Sequence, residues 1–162
     1  MKRIIIILTA ALSLISCGNG KKAGTQPMTG EQLLATLNDN GASLLVMNNG
    51  EVSQYGQRGV ADLLDLITNE PEKLNGAIVA DQLIGKAAAA IVIVGNVKEV
   101  HTNTICTPAL QMLKDAGIEV FYTEEVPFTM NQDKTGQCPI EAQLNETQDA
   151  AECLEIMLRS FE

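Results

Sequence analysis

The stretch AIVADQLIGKAAAAIVIVGN, Ala77 to Asn96, decides the reading of this chain. Ala77-Ile78-Val79-Ala80 is a short apolar strand running into Asp81, and Gly85-Lys86 opens an unbroken apolar run from Ala87 to Val94 that Gly95-Asn96 closes. Periodicity cannot classify so apolar a run. Its four consecutive alanines favour a helix pressed closely on a sheet, with the Gly-Asn pair as the stop. Downstream, Val97 to Ile105 is rich in Val and Thr and reads as strand. Pro108 to Ala116 reads as a helix carrying Leu110 and Leu113, Gly117 as its C-cap, and Ile118 to Tyr122 as a further strand. Strand, helix, strand, helix, strand implies right-handed crossovers and parallel pairing.

Upstream, Glu31 to Leu37 places Leu33, Leu34 and Leu37 at helical spacing behind Thr29, a suitable N-cap. Leu44 to Met47 and Glu51 to Tyr55 flank Asn49-Gly50, a pair that tolerates the positive φ angles of a type I′ turn and so signals a β-hairpin. Gly59 to Thr68 sets Val60, Leu63, Leu64 and Ile67 on one helical face, and Asn69 and Pro71 end it. The expected fold class is therefore α/β: a three-layer α-β-α sandwich with a mixed five-stranded sheet and the N-terminal hairpin at one edge. Glu124 to Gln137 reads as loop. From about Pro139, residues Ile140, Leu144, Ala151, Leu154, Leu158 and Phe161 fall on one stripe, which predicts a single closing amphipathic helix.

The N-terminus carries a different message. Met1-Lys2-Arg3 precedes an apolar run from Ile4 to Ile15, too short to span a bilayer, and Leu14-Ile15-Ser16-Cys17 resembles the lipobox of a bacterial lipoprotein signal. That resemblance implies a signal peptide over residues 1–16 and a mature chain beginning at a lipidated Cys17, palmitate among its acyl chains. Several chains give stable anchoring where one is marginal. Residues 17–30, rich in Gly and without an apolar run, form a tether that sets the domain, residues 31–162, on the order of 20 Å from the membrane. No acidic cluster follows Cys17, which favours a lipid-anchored protein of the cell envelope facing the periplasm.

Composition bounds the partners. The chain has 11 basic and 20 acidic residues, a net charge of −9, and loss of Lys2 and Arg3 with the signal leaves −11. An acidic domain is repelled by nucleic acid and anionic lipid, which excludes a phosphate-backbone partner. With Cys17 taken by lipid, Cys106, Cys138 and Cys153 allow at most one disulfide. Bridge and no bridge both remain open at this point, as does the oligomeric state.

Three motifs suggest a family. Val79-Ala80-Asp81-Gln82-Leu83-Ile84-Gly85-Lys86-Ala87-Ala88-Ala89, Cys106-Thr107-Pro108-Ala109-Leu110 and Cys138-Pro139-Ile140-Glu141 resemble a small bacterial domain-of-unknown-function family placed in the cytidine deaminase-like superfamily. The resemblance covers roughly residues 31 to 144 and implies a fold and the location of a site. It does not imply zinc chemistry. Deamination needs a His or Cys ligand with a Glu two residues on, followed by Pro-Cys-x-x-Cys at the next helix start. Here His101 is followed by Thr102 and Asn103, no two cysteines are two apart, and the helix start reads Ile84-Gly85-Lys86-Ala87. No metal and no cofactor are expected.

In place of a metal, Gly85-Lys86 at a strand-to-helix junction, with Asp81 at the strand end, combines free backbone N–H groups, a helix dipole and an ammonium into an anion pocket. It is not a nucleotide P-loop, because Ala80 and Ala87 stand where Gly and Ser or Thr are required. The bland alternative is that Lys86 pairs with Asp81 or Glu141 to satisfy a buried helix end. Cys138-Pro139 reads as an N-cap and first-turn pair, so the Cys138 thiol feels a helix dipole and Glu141, one turn on, is its candidate general acid or base. A structural thiol is the competing reading, and His101 stands too isolated to assign. The expectation is a zinc-free domain binding a small anionic metabolite through Asp81, Gly85, Lys86, Cys138 and Glu141. Thiol-dependent catalysis and a purely interacting protein are the alternatives.

Overall fold

The computed structural model describes residues 28–160, so the signal peptide, Cys17, most of the tether and Phe161 lie outside the described residues. Chain order is α1 (Gly30–Asn40), β1 (Leu44–Asn48), β2 (Glu51–Tyr55), α2 (Ala61–Asn69), β3 (Ile78–Ile84), α3 (Lys86–Val94), β4 (Glu99–Cys106), α4 (Thr107–Asp115), β5 (Glu119–Val126), α5 (Pro139–Gln143) and α6 (Ala150–Ser160). Five strands form one sheet in the order β2-β1-β3-β4-β5. β1 pairs antiparallel with β2 and β3, whereas β3 with β4 and β4 with β5 are parallel. This is the mixed sheet with an edge hairpin that the sequence predicts. Asn49 and Gly50 adopt φ of 51° and 81°, as a type I′ turn requires.

Side-chain alternation splits the core between two faces of the sheet. Leu33 and Leu37 of α1 close over Leu45, Met47 and Ala80 on one face. On the other, Val79 and Val100 meet α3, α4 and α6, with Ala87 to Val92 all buried. The alanines let α3 lie close on the strands, and each fully buried Leu or Ile there stabilises by about 1.5–3 kcal/mol. Gly30 begins α1 against the pair formed by His101 and Glu99, where an added Cβ would overlap the His101 ring.

Three expectations are corrected. β3 does not end at Ala80 but continues to Ile84, placing Asp81 inside the strand. The polar residues are tolerated because Leu83 N–H donates to Asp81 Oδ1 at 3.0 Å and Gln82 joins Asn38 and Asn103 in a carboxamide cluster. β5 extends four residues past Tyr122, and the loop after it holds a Met130–Gln137 bridge. The closing helix is two helices. Leu144 ends α5, Asp149 Oδ1 accepts the Glu152 N–H at 2.9 Å to start α6, and the resulting phase change buries Cys153 and Met157 while Ala151 and Leu158 face solvent.

Candidate functional site

α3 begins at the carboxyl end of β3, and its first amides would be buried without partners. Glu141 of α5 satisfies them: its two carboxylate oxygens accept the N–H groups of Lys86 at 2.8 Å and Ala87 at 3.0 Å. Lys86, 3 % exposed, sends its ammonium to the Leu144 carbonyl at 2.6 Å, where α5 ends. The two helices are therefore stapled reciprocally, a carboxylate on the positive end of α3 and an ammonium on the negative end of α5, each with the favourable dipole sign. Gly85 at the α3 N-cap has an extended backbone, φ −92° and ψ 178°, so the residue is demanded by space and not by conformation. A Cβ there would collide with the Glu141 carboxylate and lie 2.8 Å from Thr129 Oγ1.

Gly85, Lys86 and Glu141 thus converge as the sequence proposes, but the anion in the pocket is the protein's own. Burial pushes the Glu141 carboxyl above the ordinary carboxylate range, opposed by the amides of Ala87 and Lys86 and by the Lys86 ammonium. With both oxygens committed, Glu141 is not free to serve Cys138. That residue caps α5 without a side-chain bond, is half-buried, and donates its backbone N–H to the Thr129 carbonyl at 2.8 Å. Cys106, Cys138 and Cys153 are all unpaired, so no disulfide joins them. Burial raises the Cys106 and Cys153 thiols, which makes both poor nucleophiles at neutral pH.

Asp81 stands apart from this cluster. Its closest charged neighbour in effect is Asp62, buried in the first turn of α2 and held by Gln57 N–H and Gln57 Nε2, each at 2.8 Å. Burial, with a smaller contribution from Asp62, pushes the Asp81 carboxyl up to about 7, while the Leu83 and Gln82 amides pull it down. The folded state therefore holds this proton more tightly than the unfolded chain does. Its stabilising effect is complete below about pH 4 and is lost as pH rises to about 7, at most about 1.4 kcal/mol per pH unit. Asp81→Asn should gain stability over the native chain at pH 8 and lose that advantage by pH 4.5 in urea titrations. An advantage equal at both pH values would refute the assignment.

Beyond the carboxyl ends of β3, β4 and β5 lies a groove of about 670 Å³. Leu83, Val126, Pro127, Phe128 and Met130 give it apolar walls, and Thr104, Glu124, Thr129 and Lys134 are polar. Thr129 forms the link to the staple. Its hydroxyl is fully buried beside Gly85, faces the Cys106 thiol, and makes no hydrogen bond of ordinary geometry. A thiol is a weak partner, so this oxygen remains unsatisfied. The groove is hardly legible in the sequence, since most of its walls come from the segment after Thr123 that reads as loop. Val126, Pro127, Phe128 and Met130, an apolar cluster between polar stretches, are the available signal.

Zinc does not fit these residues. At the α3 start the Glu141 carboxylate is taken by two N–H donors and a buried ammonium sits on the Leu144 carbonyl, an arrangement that repels a cation. Among the described residues no three His, Cys, Asp or Glu side chains gather to hold a metal.

A five-stranded mixed sheet with helices on both faces, and a groove at the ends of its parallel strands, defines an α/β domain. The chain belongs to the TM1506 family, described as a domain of unknown function (DUF1893), over residues 32–161. A crystal structure of a DUF1893 family protein (TM1506) from Thermotoga maritima is similar, with 26% identity and a TM-score of 0.73, covering 80% of this chain and 88% of that one. RibD of Acinetobacter baumannii is similar over 51% of this chain and 28% of its own, with 19% identity and a TM-score of 0.40. No curated protein matches.

Proposed function

We propose that this protein is a zinc-free binding domain that takes a small metabolite with an apolar body and an anionic group into the groove beyond β3, β4 and β5. The observation that carries this reading is the groove itself, about 670 Å³ beyond the carboxyl ends of β3, β4 and β5, with apolar walls from Leu83, Val126, Pro127, Phe128 and Met130. Lys134 is the basic side chain of the lining and the candidate partner for the ligand's charge, the Lys86 and Ala87 amides being held by Glu141. Strand order and element order support a place in the cytidine deaminase-like superfamily with the metal chemistry gone.

A thermal-unfolding screen of small organic anions against residues 17–162 tests this. A ligand at 100 times its Kd should add about 2.7 kcal/mol, and Phe128→Ala and Lys134→Ala should each reduce the shift. Hits whose effect survives in both variants would place the ligand elsewhere, and a panel without hits would count against the reading.

The second part of the proposal is location. Leu14-Ile15-Ser16-Cys17 supports a lipoprotein of the bacterial envelope, held by acyl chains on Cys17 and facing the periplasm. None of the described helices is long and apolar enough to cross a membrane. Cells fed labelled palmitate should label the native chain and not Cys17→Ala. Equal labelling, or none in either, would overturn the anchor.

A further inference from the structure

We infer that the free edge of β5 is a docking site for an extended, basic polypeptide segment, which would add to the sheet as a sixth strand. β5 spans eight residues and pairs only with β4, so its outer row of N–H and C=O groups has no strand partner among the described residues. Edges of this kind template strand addition, in which main-chain bonds give affinity and alternate side-chain sites give selectivity.

Aromatic residues concentrate there. The chain has five Phe and Tyr in all, and Phe121, Tyr122 and Phe128, exposed by 49 %, 40 % and 42 %, lie on β5 or just after it. Exposed aromatics gathered at one place mark contact surfaces, because rigid rings bury much area at little entropic cost. The Phe121 ring is fixed in position, stacked on buried His101 with centroids 4.6 Å apart, and His101 is pinned by Glu99. Around this pair is a hollow of about 370 Å³ reaching to Thr29 and Leu34 of the α1 side. On the opposite face Glu124 borders the larger groove. A strand laid on the edge would send successive side chains alternately toward these two depressions.

Charge selects the occupant. Glu119, Glu124 and Glu125 are all exposed on β5, and the strand has no basic residue. Pairing two copies of β5 would bring six carboxylates together along one seam, which disfavours self-association, whereas a segment bearing Lys or Arg gains a favourable partner for each.

The test uses residues 17–162 and a fluorescein-labelled ten-residue peptide alternating lysine with valine. We expect anisotropy to report binding, hydrogen exchange of residues 119–126 to slow, and Glu119→Lys with Glu125→Lys to weaken binding at least tenfold. The same peptide N-methylated at alternate amides should also bind at least tenfold more weakly, because methylation removes main-chain donors without changing charge. Equal binding of the methylated peptide would reduce the effect to general electrostatics and overturn the proposal. Absence of binding, protection that maps elsewhere, or a protein dimer formed through β5 would overturn it as well. None of these outcomes decides whether a small anion binds in the groove, which the anion screen tests separately.

Discussion

Glu141→Ala should lower the unfolding free energy by about 2–6 kcal/mol, since it leaves two buried amides without an acceptor at about 1–3 kcal/mol each. Two losses combine. The amides of Lys86 and Ala87 lose an acceptor that sits 2.8 and 3.0 Å away, at a point that side-chain collapse cannot refill with a polar atom. The Lys86 ammonium, 3 % exposed, keeps the Leu144 carbonyl but loses the nearby negative charge. Domains of this size hold only about 5–15 kcal/mol in total, so the variant should unfold at far lower urea. Glu141→Gln should be intermediate, since its carbonyl can serve one amide while its NH₂ faces the other. A loss below about 1 kcal/mol for Glu141→Ala would mean that the staple is not formed in solution.

Gly85→Ala should cost about 1–3 kcal/mol, the range for overpacking a tight site. At most helix N-caps the change would be mild, because the extended backbone here suits any residue. The penalty comes from the Cβ, which would collide with the Glu141 carboxylate and press on Thr129 Oγ1 at 2.8 Å. Either the carboxylate retreats from the α3 amides or α5 shifts. The two substitutions should therefore not add: in a Glu141→Ala background part of the space is vacated, and Gly85→Ala should cost less by about 0.5–3 kcal/mol. Strict additivity in a double-mutant cycle would separate the glycine from the cap and overturn the geometry.

The elements that were legible in the sequence are those whose signal is local. Asn49-Gly50 names its own turn, and α2 shows its apolar face in successive residues. The misreadings share one cause, a local pattern overridden by a contact from elsewhere. Asp81 and Gln82 look like the end of a strand, yet β3 runs on because Asn38 and Asn103 engage Gln82. The segment Glu124-Glu125-Val126 looks like loop because an edge strand exposed on both faces shows no alternation. The apolar positions Ile140, Leu144 and Ala151 happen to keep helical phase across a break, which only the Asp149-x-x-Glu152 capping pattern marks.

By itself the sequence determined the sheet-and-helix alternation, the hairpin at one edge, the lack of a zinc ligand set and the residues from which an anion pocket could be built. These follow from periodicity, turn chemistry and residue identity, which act over a few positions. Only the tertiary structure decided what fills that pocket. Glu141 lies 55 residues from Lys86 along the chain, and no local rule says that α5 must fold back over α3. The burial of the first α3 amides makes a partner necessary, and packing selects an internal carboxylate over a ligand. The open volume is thereby left one step away, over Thr129 and between the walls of the β5–α5 loop.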